Sequence, residues 1–304
     1  MKDNIKMAGL IDNTTYTGKD TDGFFSVALL TGDTKSKVRL IPNVKSTVKL
    51  GSLNLGDILQ ADGCSLDAAG SYTLAQKSLE VCDIAVKVPI CVKDYEANYL
   101  SEFMRPGSNV EENFPNGFVD YLFDLVAQKI SEQTEKLFWQ GDTAGSPASL
   151  CDGLLKKFVA DSAVIDVTGT TLTTSNIIAE IGKVYDAIPD TISENGKVVI
   201  MVSRKASRLY KQALVAANPA LIAYNNGDFT LRYIDIEIVV SPGLPANDIV
   251  AAEPMNLWYG TDLVSDEREI SIVRDPLNPK QHYIMTSFKW GVNYGNGSEI
   301  VYYT

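Results

Sequence analysis

Residues 114–155, with the sequence FPNGFVDYLFDLVAQKISEQTEKLFWQGDTAGSPASLCDGLL, decide how this chain folds. The first part of this stretch repeats apolar side chains at intervals of three and four residues, which predicts an amphipathic helix. Those side chains are Phe118, Leu122, Leu125, Val126, Ile130, Leu137 and Phe138. Pro115 suits the start of a helix and Gly141 suits its end, so we expect the helix over 116–140. At ~1.5 Å per residue it would be ~37 Å long, which exceeds a typical globular helix.

The segments around this helix predict a mixed α+β protein. Residues 79–92 alternate between apolar and polar side chains, which predicts a strand. Because proline cannot donate to a β-ladder, Pro89 requires this strand to lie at a sheet edge or to be kinked. Residues 165–254 predict a compact α/β unit. Residues 269–275 and 282–290 alternate again on either side of a proline-rich turn, which predicts a hairpin near the end of the chain.

Composition describes an ordinary globular protein of one large domain or two smaller ones. Of its 304 residues, 45% are hydrophobic and 21% are charged, and the longest apolar runs have the length of strands. We therefore expect no membrane span, and the first residues do not resemble a secretory signal. A formal net charge of −11 and scattered basic residues argue against sequence-specific nucleic-acid binding. The densest basic pairs, Arg204-Lys205 and Lys156-Lys157, are expected to be solvated helix faces.

The four cysteines are expected to be small buried residues. Cys64, Cys82, Cys91 and Cys151 have neither a CxxC pair nor zinc-finger spacing. Their even number leaves a disulfide possible. Synthesis in a cytoplasm, which the absence of a signal peptide indicates, disfavours one.

A search for chemistry along the chain assigns no catalytic, cofactor-binding or metal-binding residue. The single histidine, His282, lies in a predicted strand, where a packed or half-exposed role is expected. The turn 295–297 contains Gly-Asn-Gly but lacks the third glycine and the helix of a dinucleotide site. The acidic residues between 262 and 269 lack calcium-loop spacing. Asp142 and Asp152 flank the loop after the long helix, where turn and capping roles are expected.

The order of these segments resembles that of the major capsid proteins of tailed bacteriophages, the HK97-like fold. In that family a long helix forms the spine of a peripheral domain, and a Gly-Asp turn leading to Gly-Leu-Leu follows it. Here Gly141-Asp142 and Gly153-Leu154-Leu155 occupy those places. A strand before the helix, an α/β region after it and a closing pair of strands occur in the same order. The resemblance covers roughly residues 37–304.

The resemblance implies five segments. They are an N-terminal arm over 1–36, an extended β loop region over 37–80, a peripheral domain over 81–160 with spine helix 116–140, a compact axial α/β domain over 161–260, and return strands to the peripheral domain over 261–304. An extended two-stranded loop is expected between about 44 and 79, with an ordinary surface hairpin as the alternative. Some proteins of this fold crosslink a loop lysine to a distant asparagine. Lys45, Lys49 and Lys77 lie in the corresponding region, although no motif identifies an acceptor.

The resemblance implies a structural protein and not an enzyme. The expected role is the major capsid subunit of a tailed phage or prophage, which self-assembles into hexamers and pentamers of an icosahedral shell around DNA. A separate scaffolding protein and a portal are the expected partners, no cofactor is expected, and the expected location is the virion after assembly in the host cytoplasm. Two alternatives stay open: an encapsulin-like nanocompartment shell, which shares the fold, and a soluble α/β enzyme.

Overall fold

A computed structural model of the chain describes residues 14–16, 33–56, 72–91, 116–145, 150–193, 197–217, 231–262, 270–275, 277 and 281–304. Its helices are α1 (Asp33–Lys37), α2 (Asn116–Gln140), α3 (Leu154–Ala160), α4 (Ile177–Asp186), α5 (Asp190–Ser193) and α6 (Arg204–Ala217). Its strands are β1 (Thr14–Tyr16), β2 (Arg39–Ile41), β3 (Thr47–Leu55), β4 (Tyr72–Glu80), β5 (Cys82–Cys91), β6 (Ile165–Val167), β7 (Val199–Val202), β8 (Arg232–Tyr233), β9 (Ile236–Val240), β10 (Ile249–Ala252), β11 (Leu257–Thr261), β12 (Ile270–Arg274), β13 (Gln281–Tyr294) and β14 (Val301–Tyr303).

The long strand β13 is the centre of the first sheet. It pairs antiparallel with β5, β11 and β12; the sheet continues from β12 to β1 and from β11 to β2, the last pair being parallel. The pairing of β12 with β13 confirms the predicted C-terminal hairpin. Among the described strands, β5 pairs only with β13, so Pro89 lies on an edge strand as expected, opposite Tyr283.

The long helix α2 has the ends that the sequence predicts. Its C-terminal half is deeply buried: Ile130 and Leu137 are 3% exposed, and Phe138 and Trp139 are fully buried. These side chains share one hydrophobic core with Phe288 of the first sheet and with α3. Of the predicted stripe, Ile130, Leu137 and Phe138 are buried and Val126 packs against the same core, as the spacing implied. Leu125 is instead 51% exposed, and the side chains of Phe118 and Leu122 lie outside the described ones.

The second sheet has the strand order β6-β14-β10-β7-β9-β8 and is buried on both faces. All four residues of β10 are buried. Ile249 and Ala251 belong to a core formed with α4 and α6, whereas Val250 and Ala252 belong to the core that contains α2. Because successive side chains of a strand point to opposite faces, each face of this sheet packs into one of the two cores.

The final strand, β14, does not join β12 and β13 in the first sheet. β14 lies in the second sheet between β6 and β10. Tyr303 accounts for this position because its ring is buried and its hydroxyl lies 2.8 Å from Thr170 O and 3.0 Å from Glu180 Oε2. Gly169 leaves the space for this ring, since a Cβ there would lie 1.9 Å from Tyr303 Cζ.

The expectation that the cysteines form no disulfide is wrong. Cys82 and Cys151 form a disulfide with Cα atoms 6.2 Å apart, which links the start of β5 to the turn before α3. The two residues are 69 positions apart in sequence, so no local spacing indicated the pairing. Cys91 is free and partly buried, and Cys64 lies outside the described residues.

Helix α2 also approaches the loop between β9 and β10 at backbone distance. A Cβ on Gly243 would lie 2.1 Å from the carbonyl oxygen of Glu135. At the end of α2, Gln140 Nε2 donates a 2.5 Å hydrogen bond to Gly243 O of this loop. Only glycine fits this contact without moving the helix or the loop.

We expect Gly243→Ala to lower the free energy of unfolding by about 2–4 kcal/mol, because the new methyl group overlaps backbone that cannot move independently. Urea unfolding of the unassembled subunit measures the change. Gly145→Ala is the matched control, since its Cβ would meet only the Asp142 side chain, and its effect should stay within about 0.5 kcal/mol. Equal effects of the two substitutions would contradict the close-packing argument.

Candidate assembly surface

The strands β3 and β4 form a hairpin that is separate from both large sheets. They pair over nine residues, from Thr47 opposite Glu80 to Leu55 opposite Tyr72. In the described part of the chain no third strand joins them. The hairpin occupies the region where the sequence placed an extended two-stranded loop. Because an isolated two-stranded hairpin is marginal in water, this one needs contacts beyond its own pairing.

One face of the hairpin exposes large apolar side chains. Tyr72 is 73% exposed and Leu74 is 61% exposed. Gln76 is also exposed, and these alternate residues lie on the same face of β4. An exposed aromatic and an exposed leucine on the same face of a strand are typical of a surface that contacts a partner.

The base of the hairpin, by contrast, is fixed to the body of the subunit. Leu79 is fully buried. Asn293 Nδ2 donates a 2.6 Å hydrogen bond to Ser78 O. Gly291 provides space for the backbone of Glu80, because a Cβ there would lie 2.1 Å from Glu80 O. Consecutive residues at the end of β4 are therefore held against the body of the subunit.

Lys77 completes this anchor through a cluster with Asp161 and Tyr294. Lys77 Nζ lies 2.9 Å from Asp161 Oδ2 and 3.7 Å from the centre of the Tyr294 ring. The Tyr294 hydroxyl donates a 2.7 Å hydrogen bond to the same carboxylate oxygen. Hydrogen bonds from Lys77, the Ala163 amide and Tyr294 lower the pKa of Asp161 to about 2. Burial, together with the bond to Asp161, raises the pKa of Tyr294.

The three lysines considered for crosslinking have different environments. Lys77 is held in the cluster just described, whereas the side chains of Lys45 and Lys49 are exposed. The backbone oxygen of Lys45 accepts a 2.9 Å hydrogen bond from Lys289 Nζ, which adds a further tie at the base of the hairpin. A crosslinking role is not assigned to any of them.

The turn after α2 is packed around two glycines. A Cβ on Gly141 would lie 2.5 Å from Cys151 O, and a Cβ on Gly153 would lie 2.6 Å from Trp139 O. The Gly153 amide donates a 2.8 Å hydrogen bond to Gly141 O. The two ends of the loop therefore meet backbone to backbone, which explains why the sequence carries glycine at both positions.

Asp142 and Asp152 have the turn roles that the sequence predicts. Lys156 Nζ lies 2.6 Å from Asp142 Oδ1 and 2.7 Å from Asp152 Oδ1. The Thr143 amide donates to Asp152 and the Ala144 amide donates to Asp142, both at 2.9 Å. Burial opposes ionisation of Asp152, but the bonds from Lys156 and Thr143 outweigh it and lower its pKa to about 2. The hydrogen bond from Lys156 likewise lowers the pKa of Asp142.

A buried polar contact joins three parts of the chain beside α2. Thr34 Oγ1, in α1, lies 2.5 Å from Glu135 Oε1 of α2 and 2.8 Å from Ser241 Oγ, which follows β9. All three residues are at most 4% exposed. The segment that leads from the N-terminal part into the first sheet is therefore attached at the same place where α2 meets the second sheet.

The residues weighed for chemistry lie apart from one another. His282 is fully buried in β13, opposite Ile90 of β5, so its position is that of a packed histidine. Gly295 and Asn296 form a turn whose amides both donate to Asn256 Oδ1. Of the acidic run, Asp262 is described, and residues 263–269 lie outside the described ranges.

Within the described residues, no group of three or more histidine, cysteine, aspartate or glutamate side chains is arranged to hold a metal ion. A cavity of about 220 Å³ lies between α2 and the first sheet. Its walls are mainly apolar, and they include Ile84, Ile130, Leu137 and Phe288. The helices in the described ranges are all too short or too polar to cross a membrane.

Comparisons with solved structures identify the architecture. The chain matches the capsid of a native GTA particle with a TM-score of 0.58 at 12% identity, covering 90% of this chain and 89% of that one. It matches a structure of Gordonia phage Cozz with a TM-score of 0.58 at 9% identity, covering 90% and 86%. It matches the procapsid of satellite phage P4, which includes a size determination protein, with a TM-score of 0.56 at 13% identity, covering 93% and 98%.

This chain has the HK97-like capsid fold. The mixed α+β class expected from the sequence is thereby confirmed. No protein-family model matches the chain, and no curated protein matches it. At identities between 9% and 13%, the likeness lies in the fold and not in individual residues.

The cluster of Lys77, Asp161 and Tyr294 predicts how fast the hairpin amides exchange with solvent. In Asp161→Asn and Tyr294→Phe variants, the amides of β3 and β4 should exchange with solvent about three to ten times faster, because the base of the hairpin loses charged hydrogen bonds. Hydrogen exchange with mass spectrometry measures this, with the amides of β10 as an internal reference. Glu132→Gln, which breaks exposed ion pairs on α2, should leave the hairpin unchanged. Unchanged exchange in both cluster variants would show that Lys77 does not anchor the hairpin.

The same cluster predicts a pH dependence of stability. The folded-state pKa of Asp161, about 2, lies below its ordinary value of 3.8, so its contribution is complete above about pH 4 and is lost as the pH falls towards 2. The difference in Tm between the wild type and Asp161→Asn should therefore be constant near neutral pH and shrink between about pH 4 and 2. Calorimetry of the unassembled subunit measures it. A difference that persists at pH 2 would contradict the assignment.

Proposed function

We propose that this chain is the major capsid protein of a tailed phage or prophage. The observation that carries the proposal is the separate two-stranded hairpin of β3 and β4, anchored at its base and exposing Tyr72 and Leu74, in a subunit with the HK97-like fold. A monomeric enzyme gains nothing from such a surface. A shell subunit requires such a surface, since contacts between neighbouring subunits hold the shell together.

In the proposed mechanism, each subunit makes many weak contacts. The anchored base fixes the direction in which the hairpin leaves the body, so its apolar face reaches a neighbour in a defined position. The spine helix and the first sheet form the wall of the shell. Individual contacts can be weak because a subunit in a closed shell makes several at once, which raises the overall affinity.

We also propose the division of the chain into the five segments that the resemblance implies. We assign residues 1–36 to an N-terminal arm, 37–80 to the extended loop region, 81–160 to the peripheral domain and 161–260 to the axial domain, with 261–304 returning to the peripheral domain. The strand β14 qualifies the last assignment, because it contributes to the second sheet. Hexamers and pentamers would form around the axial domains.

The proposed partners and location follow from the same role. Copies of this chain would assemble in the host cytoplasm with a separate scaffolding protein and a portal, and the product would be the virion shell around DNA. The proposal assigns the chain no catalytic activity. Neither alternative, an encapsulin-like shell or a soluble enzyme, is favoured by the fold comparisons. The contents of purified particles separate the first alternative, since a phage shell protects DNA and a nanocompartment holds protein.

Negative-stain microscopy and light scattering of purified protein, with and without a scaffolding protein, test the proposal. Rings, tubes or closed shells are expected. Replacing Tyr72 and Leu74 together with serine should raise the concentration needed for assembly at least about tenfold, because both side chains lose apolar area buried at the contact. The Tm of the unassembled subunit should not change, since both side chains are exposed there.

Leu277→Ser is the matched control, because Leu277 is 95% exposed and lies outside the hairpin. It should assemble at the wild-type concentration. A wild-type protein that remains a monomer or dimer with scaffold present would refute the proposed function. Normal assembly of the Tyr72 and Leu74 variant would retain a shell role but remove the hairpin from the contact.

A further inference from the structure

Helix α6 presents a basic face in a protein that is otherwise strongly acidic. Its exposed residues include Arg204, Lys205, Arg208 and Lys211, and the helix contains no acidic residue. The chain as a whole carries −11, so the residues outside α6 sum to −15. We call these four side chains the basic face.

The basic face is unfavourable for the helix that carries it. Arg204 and Arg208 are four residues apart and Lys211 follows three residues later, so like charges are neighbours along the helix surface. Arg204 and Lys205 also lie in the first turn, next to the positive end of the helix dipole. The stability of the isolated subunit therefore does not explain this arrangement.

Other helices of the chain balance their exposed lysines. Within the described residues, the exposed lysines on α2, α3 and α4 pair with a carboxylate three or four positions away, whereas Lys157 of α3 is partly buried and donates to Val292 O. Those pairs are Lys129–Glu132, Lys136–Glu132, Lys156–Asp152 and Lys183–Glu180. In the same ranges, no carboxylate lies within ion-pair distance of the basic face. Helix α6 is the exception among these described helices, which favours a partner outside the subunit.

A complementary surface is present on the same domain. Asp186 ends α4, and Asp235 lies in the turn between β8 and β9; both are exposed. The ring centres of Tyr185, in α4, and Tyr233, in β8, lie 5.6 Å apart, which places the end of α4 beside this turn. A hydrogen bond to Asp235 raises the pKa of Tyr185, and the charge of Asp186 acts in the same direction. Ile234, at the tip of this turn, is 73% exposed and has a φ of 53°, a conformation that isoleucine rarely adopts. We call Asp186, Ile234 and Asp235 the acidic knob.

We propose that the basic face of α6 docks on the acidic knob of a second copy of this chain, so that these contacts close the rings of axial domains. This inference rests on the proposed function. Two basic faces repel each other, as do two acidic knobs, so the contact must be head-to-tail. Head-to-tail contacts between different surfaces of one subunit generate closed rings when the rotation permits.

Apolar neighbours favour a second copy over nucleic acid as the partner. The basic stripe continues along α6 to Val215, which is 37% exposed, and the acidic knob carries exposed Ile234. A contact between these surfaces would bury both apolar groups together with opposite charges. Phosphate groups would use the basic side chains alone and would leave Ile234 exposed.

Reciprocal charge reversal tests the contact. The helix-reversed variant carries Arg204→Glu and Arg208→Glu, and the knob-reversed variant carries Asp186→Lys and Asp235→Lys. Each variant alone should need at least about tenfold more protein to assemble, because like charges then face each other at the contact. An equimolar mixture should recover assembly, since the reversed helix of one subunit then meets the reversed knob of the other. A chain with all four substitutions should also assemble.

The mixture makes a more specific prediction. Because the two variants must alternate around a ring, even-numbered rings and flat or tubular lattices of hexamers should form, while five-membered rings should not. Image classification of the particles distinguishes these outcomes. The chain with all four substitutions has no such restriction and should form both ring sizes.

A control variant with Lys87→Glu and Lys197→Glu has the same change in net charge as the helix-reversed variant, at exposed positions outside α6, and it should assemble like the wild type. Thermal unfolding of each variant checks that the subunit folds. Wild-type assembly of the helix-reversed variant would overturn the proposal, as would a mixture that does not recover. Normal shells that protect less DNA from nuclease would assign α6 to nucleic acid and also overturn it.

The proposed function can fail separately. If the wild type forms no particles, the shell role is refuted, and sedimentation at low salt still tests the contact. Association in the mixture that neither variant shows alone would support the contact, and its absence would overturn it.

Discussion

The burial of Leu137, Phe138 and Trp139 at the end of α2 is the constraint on which the rest of the subunit depends. The three side chains are at most 3% exposed and share one core with residues of both large sheets. Burying such side chains contributes about 1.5–3 kcal/mol each. This gain requires backbone to approach backbone at Gly243 and Gly153, where a side chain would not fit. The relative position of the two sheets, and hence of the hairpin base and the axial domain, follows from this packing.

Elements with strong local signals could be predicted from the sequence. The bounds of α2 follow from apolar residues at helical spacing, from Pro115 before its start and from Gly141 after its end. The hairpin of β12 and β13 follows from two alternating stretches around a proline-rich turn. In each case the residues that determine the element are within a few positions of one another, so the pattern is visible without the fold. The two-stranded loop between about 44 and 79 was expected from the family resemblance and not from a local pattern, and β3 and β4 pair within that range.

Contacts between distant residues could not be predicted. Lys77 lies 84 positions from Asp161, and Tyr294 lies 133 positions from Asp161, so no spacing rule indicates the anchor of the hairpin. Likewise, alternation alone does not show which sheet β14 enters. That choice depends on a space left by Gly169 for the ring of Tyr303, which exists only after the axial domain has formed. The sequence singled out only the pair Arg204-Lys205 of the basic face of α6. The absence of an ion pair between this face and the carboxylates of the described residues became visible only in the structure.

The proposed hairpin contact and the proposed axial contact depend on different physical interactions. The hairpin contact buries exposed apolar side chains and must also order a two-stranded segment that is marginal by itself, so its net affinity is reduced by the cost of ordering. The axial contact joins surfaces on a folded domain and depends on charge, so it acts at longer range and weakens with salt. Charge complementarity would therefore bring subunits together in the correct order around a ring. Apolar burial by the hairpins would then stabilise neighbours that are already in register, while each contact remains weak enough for misplaced subunits to leave.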